Sequence, residues 1–188
     1  MDALVPALIA ALAAGLNDRP AWLAAILADR FRSPLAVLFG LALAFAGASA
    51  IAAVSTLLIL PILTPNARQL MLALTLLFAG VGCLMRGKPP ERLEGWRLGA
   101  LLTAGLGGFV LALGDRTAFL VFGFAAWGAS PAAAAIGGTI GATMLAILAA
   151  SMGEAAWRRL PIRLFGAAAG VVFLALGALA AAGALRLV

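Results

Sequence analysis

Asp18-Arg19 and Asp115-Arg116 set a carboxylate beside a guanidinium twice, 97 residues apart, each time inside a long apolar segment. A charge at bilayer depth costs on the order of 3 kcal/mol on insertion scales, so ionisable residues there mark either transport chemistry or buried pairing. Carboxylates so placed can ligate a cation or carry a proton, with Arg19 and Arg116 turned toward water or a partner helix. Neighbouring residues on a helix point about 100° apart, so neither aspartate is expected to pair with the arginine beside it. Asp18 with Arg116 and Asp115 with Arg19 would instead neutralise one another and pin two segments together. Both roles fit these residue types. Gly15 and Asn17 before Asp18, Pro20 after it and Gly114 before Asp115 loosen the backbone locally and free carbonyl oxygens as further ion ligands.

The offset of 97 also superimposes Leu16 on Leu113, Ser33-Pro34 on Ser130-Pro131, Gly40 on Gly137 and Gly80 on Gly177. With nine prolines in the chain, the Ser-Pro match is informative even in so Ala- and Leu-rich a background. The sequence reads as a duplication: residues 1–85 as one unit, 86–97 as a polar linker carrying Pro89-Pro90, and 98–188 as the second unit. Such a linker is expected to be solvated.

A content of 65% hydrophobic residues over 188 positions belongs to an integral membrane protein and leaves no segment for a soluble catalytic domain. An enzyme is not expected. Apolar runs delimit six spans, at residues 3–28, 35–63, 67–85, 98–126, 131–156 and 163–185, all helical because lipid tolerates no unpaired backbone. The first, second and fourth exceed the roughly 20 residues a bilayer needs and call for tilting, kinking or interruption. Three spans per unit make the second copy enter from the opposite side. The expected fold is therefore an all-α membrane protein of six transmembrane helices in an inverted 3+3 repeat, with Asp18 and Asp115 brought together near a pseudo-two-fold axis.

Charge distribution supplies the orientation. Arg30, Arg32, Arg86, Lys88, Arg92, Arg97, Arg158, Arg159 and Arg163 fall in the loops after spans one, three and five, against Arg68 and Arg186 on the other side. The positive-inside rule places the first set in the cytoplasm of a bacterial-type inner membrane, with both termini outside. The net charge of +6 thus serves orientation in lipid, and nucleic-acid binding is not expected. Asp2 stands where a signal peptide would carry a basic residue, so the first apolar segment is expected to be retained. Cys83 is alone and histidine is absent, so no internal disulfide forms and a cation site must use oxygen ligands. No cofactor is expected; a homo-oligomer is left open. Glu154, beside Trp157, Arg158 and Arg159, reads as an interfacial salt bridge, and Gly137 with Gly141 as a close helix contact.

The two aspartate segments resemble the motifs of the transmembrane protein 165, or GDT-type, family of cation/proton exchangers, written E-x-G-D-[KR]-[ST] and occurring once per three-helix repeat. The second copy here is Ala112-Leu113-Gly114-Asp115-Arg116-Thr117 and the first Gly15-Leu16-Asn17-Asp18-Arg19-Pro20. Ala28 to Pro34 and the basic stretch Trp157 to Arg163 are similar to the family as well. The resemblance implies exchange of a divalent cation, such as Mn²⁺ or Ca²⁺, against protons, with Asp18 and Asp115 as metal ligands. Gly15 and Ala112 occupy the family's glutamate positions, which leaves two carboxylates of four. The Asn17 amide, the Thr117 hydroxyl and main-chain carbonyls are the remaining oxygen donors for a hard cation that prefers six or more. Two nearby arginines offset the carboxylate charge and suit two other roles, export of a small anionic or zwitterionic solute, or a non-transporting paralogue that binds another membrane protein.

Overall fold

The computed structural model describes residues 3–85 and 89–185; Arg86, Lys88 and Arg186, counted above for orientation, lie outside them. Eight α-helices follow one another: α1 Leu4–Gly15, α2 Arg19–Phe31, α3 Pro34–Ile59, α4 Pro65–Leu84, α5 Gly99–Leu113, α6 Arg116–Trp127, α7 Pro131–Arg159 and α8 Ile162–Ala184. A 3-10 turn, Leu60–Ile62, extends α3. No strand occurs among the described residues. The helices α3, α4, α7 and α8 are each long and apolar enough to cross a bilayer, and α5 and α6, bent by 59° at their break, reach that length together as a broken span or a re-entrant pair. Many large apolar side chains, Leu35, Phe39, Leu58 and Val110 among them, are exposed around the outside, as lipid-facing surfaces require. The chain is an all-α, multi-pass membrane protein.

The helices start where local chemistry starts them. Pro34, Pro65 and Pro131 sit in first turns, where the missing N–H is not needed. Asp18 and Asp115 cap α2 and α6. The first residues of α2, α3 and α4 each precede those of α6, α7 and α8 by the 97-residue offset of the sequence.

Packing repeats with the elements exchanged. Gly40 of α3 meets the Leu101 carbonyl of α5, and its counterpart Gly137 of α7 meets the Leu4 carbonyl of α1, at distances no side chain would permit. A Cβ on Gly141 would lie 2.7 Å from the Leu8 carbonyl, so the Gly137–Gly141 pair is a helix contact against α1. Similarly α4 and α8 cross at Gly80 and Gly177, where an added Cβ would stand 3.0 Å from the Gly170 carbonyl and 3.1 Å from the Ala73 carbonyl. Each unit's α3-type helix thus packs on the other unit's first helix.

The first and fourth apolar segments, expected to tilt, kink or be interrupted, are interrupted: each breaks at its aspartate, because a carboxylate that caps the following helix ends the preceding one, while α3 runs unbroken from Pro34 to Ile59. The inter-unit linker is not simply solvated. Arg30, at the end of α2, donates to the carbonyls of Leu93 at 2.6 Å, Trp96 at 3.0 Å, Arg92 at 3.1 Å and Glu94 at 3.3 Å, which ties residues 92–96 to the bundle. Leu93, in the left-handed region with φ 52°, puts its side chain against Gly107 of α5. Arg92 also bridges to Glu154 at 2.8 Å, and Glu154 to Arg158 at 3.2 Å, the salt bridge expected for that acid. The Glu154 amide donates to Asp29 Oδ2 at 2.7 Å, where Gly153, with φ 74°, kinks α7 and leaves room for the carboxylate. The loops near residues 30, 92 and 158 therefore share one end of the bundle.

Candidate functional site

Each break is built alike. The amides of Asp18 and Asp115 close a turn onto the carbonyls of Gly15 (3.1 Å) and Ala112 (3.2 Å), and each carboxylate turns back to its own helix. Oδ1 of Asp18 accepts from the Arg19 amide at 3.2 Å, and Oδ1 of Asp115 from the Arg116 amide at 2.7 Å. A carboxylate at a helix N-terminus gains from the dipole, which makes the negative charge less costly at depth. Pro20 stabilises the first turn of α2; Gly114 caps α5 at φ −96°, which most residues adopt.

The breaks meet across the bundle. Arg116 reaches from α6 to Asp18, with Nη2 2.8 Å from Oδ1, and the same nitrogen donates to the Asn17 carbonyl at 2.9 Å. Asp115 caps α6 next to the arginine that reaches Asp18, so both carboxylates belong to one polar cluster. One of the two expected cross-pairs is therefore present. The other is not: Arg19 is exposed and pairs with no acid among the described residues. It lines instead a groove of about 360 Å³ beneath the linker, with Leu23, Pro90, Leu93 and Trp96.

Packing explains the inequality. The stem of Arg116 runs along α4 at Gly82, where a Cβ would stand 2.8 Å from its Cδ, and the buried Cys83 lies beside its guanidinium. Gly123 of α6 accepts Thr75 of α4 so closely that any side chain there would collide. At the equivalent places around Arg19 stand Leu179 for Gly82, Ile26 for Gly123 and Val172 for Thr75, and α2 makes no comparable packing on α8. Arg19 has no notch to follow.

A cavity of about 490 Å³ opens beside the second break, between α3, α4 and α6. Gly114, Asp115 and Arg116 form its polar end, while Phe78, Phe119 and Phe122 form an aromatic wall, Phe78 edge-on to Phe119. Thr117 is buried in α6 but does not line it, and Asn17 offers its carbonyl to Arg116 while its side chain lies against Gly166 of α8. The positions of the absent glutamates are closed by apolar packing: a Cβ on Gly15 would lie 2.7 Å from Leu145, and Ala112 is buried in the same cluster. Two polar atoms in the buried core of the site have no protein partner, Oδ2 of Asp18 and Nη1 of Arg116. Among the described residues no three acidic, Cys or His groups converge to form a metal cluster. Gly82, Cys83 and Arg30 were not singled out as functional positions from sequence, since their importance depends on which helices become neighbours.

Residues 3–91 match the family model of the divalent cation/proton antiporter GDT1, a stretch that holds the first break, α3 and α4. The match supports the GDT-type family assignment. Members of that family are transporters, and outside the matched stretch the second unit repeats a capping aspartate followed by arginine. No curated protein and no solved structure matches the chain.

Proposed function

We propose that the chain is a divalent cation/proton antiporter of the plasma membrane, built as six spans in an inverted 3+3 repeat, with Asp18 and Asp115 as the shared cation and proton site. The observation that carries this is the convergence of the two helix breaks: Arg116 of the second break bonds Asp18 and the Asn17 carbonyl of the first, and a cavity reaches Asp115 beside it. Two breaks related by one sequence offset, each packed against the other unit's helices, are what alternating access about a midplane site requires. Residues near Arg30, Arg92 and Arg158 face the cytoplasm on this reading, in keeping with their positive charge.

The cation is a hard divalent ion such as Mn²⁺ or Ca²⁺, bound by two carboxylates, main-chain carbonyls and water. With Gly15 and Ala112 in place of acids, its affinity is expected to be low. Purified protein in liposomes should move Mn²⁺ when a pH gradient is imposed, and Asp115→Asn should stop that flux while leaving the melting temperature within a few degrees of wild type. Variants that lose only thermal stability, with no flux in the wild type for any divalent ion, would leave a structural ion pair and no antiporter.

A second reading draws on the partnerless Asp18 Oδ2 and Arg116 Nη1, which together offer one acceptor and one donor. A small zwitterion satisfies both. Its signature would be counterflow of a labelled zwitterionic solute that is blocked by Arg116→Gln, without any metal flux.

A further inference from the structure

The site contains a cation of its own. Arg116 holds Oδ1 of Asp18 at 2.8 Å and, through the same nitrogen, the Asn17 carbonyl at 2.9 Å, so two oxygens available to an ion at the first break are already engaged. With the guanidinium seated, the carboxylate pair keeps at most one net negative charge, which is little attraction for a divalent ion. With it withdrawn, Oδ1 of Asp18 and the Asn17 carbonyl are freed together for an ion. Arg116 can withdraw, since it also lines the cavity of about 490 Å³ that opens beside it, and its Nη1 has no partner to hold it. Gly82 makes room for the stem in its seated position, where a Cβ would lie 2.8 Å from the Arg116 Cδ.

We propose that Arg116 is a tethered cation that competes with the transported ion for Asp18. The ion enters by displacing the guanidinium from Oδ1 and the Asn17 carbonyl toward the cavity, and the returning guanidinium expels it. Arg116 then sets affinity and release together, as a specificity-determining residue, while Arg19 has no such part because it is exposed under the linker. The inference rests on the antiporter reading and adds to it the identity of the competitor.

An intramolecular competitor lowers apparent affinity by the fraction of time it leaves the site free. Removing it should therefore improve KM and slow the step that depends on expulsion. In proteoliposomes assayed for Mn²⁺ uptake against a pH gradient, Arg116→Gln should lower the KM for Mn²⁺ by about tenfold, with a reduced maximal rate. Arg116→Lys, which keeps the charge, should return both toward wild type, and Arg19→Gln should move neither. A KM that is unchanged or raised in Arg116→Gln would overturn the proposal, as would Arg19→Gln lowering KM as much as Arg116→Gln. If Arg116→Gln does not yield folded protein, Gly82→Ala crowds the stem of Arg116 and should lower KM in the same direction by a smaller factor; unchanged or raised KM there overturns it equally. Failure of the antiporter reading is separate, since it shows as absence of Mn²⁺ flux from the wild type.

Discussion

The two helix breaks carry the same dipeptide, the same capping bond and the same preceding turn, and similar helix crossings flank them, yet the side chains next to their arginines differ. At the second break Arg116 is drawn inward along Gly82 to Asp18, and a cavity stands open; at the first, Arg19 lies exposed beneath a loop tied down by Arg30. The cavity follows from side-chain size. It is lined on α3 by Ala48, Ile51, Ala52 and Ser55, whose counterparts on α7 are Leu145, Leu148, Ala149 and Met152. Leu145 and Met152 are larger than Ala48 and Ser55, and Leu145 presses on Gly15. Arg30, which anchors the linker, and Asp29, which accepts from the Glu154 amide, correspond to Trp127 and Ala126 in the second unit, so neither charge has a counterpart there. The repeated arrangement thus carries one seated arginine and one anchored loop, with differently built cavities at the two breaks.

That inequality is open to attack at several points. The largest effect is expected at the buried pair: Asp18→Ala strands the Arg116 guanidinium and should lower unfolding stability in detergent by about 3 kcal/mol, whereas Arg19→Ala should change it by less than about 0.5 kcal/mol. Equal losses from the two would erase the distinction between the breaks. Next comes the loop anchor, where Arg30→Ala removes charge-assisted bonds to four carbonyls and should cost about 1–2 kcal/mol. Limited proteolysis should then cut within residues 90–96 several times faster than in wild type. Ala48→Leu, which copies the α7 residue into α3, should reduce Mn²⁺ flux severalfold while altering stability by less than about 1 kcal/mol, and unaltered flux would remove the cavity from the transport path. The smallest contrast pits Gly15→Ala against Gly114→Ala. The first meets Leu145 at 2.7 Å and should destabilise by about 1 kcal/mol; the second meets nothing nearer than 4.0 Å and should be neutral or slightly stabilising.

Much of this was legible in the chain itself. The prolines at 34, 65 and 131 start helices close to the span boundaries read from sequence, and the 97-residue offset recurs in the helix starts, but that Asp18 and Asp115 cap separate helices, giving eight elements where six spans were expected, was not read. The pairing of Asp18 with Arg116 was legible too, because adjacent charges cannot face each other on a helix. What could not be read was that the reciprocal pair is missing. That outcome is decided by Gly82 against Leu179 and by Gly123 against Ile26, and a glycine in an apolar helix says nothing of its role until its neighbouring helix is known. The anchored linker escaped for a related reason: Arg30 bonds to main-chain carbonyls, which have no sequence signature.

The central claim is that one cross-pair is formed and its counterpart is not, and two double-mutant cycles measure it directly. Stability in detergent of Asp18→Asn, Arg116→Gln and their double variant should yield a coupling energy of about 2 kcal/mol. The matching cycle for Asp115→Asn and Arg19→Gln should yield one below about 0.5 kcal/mol. Coupling of equal size in both cycles would contradict the account.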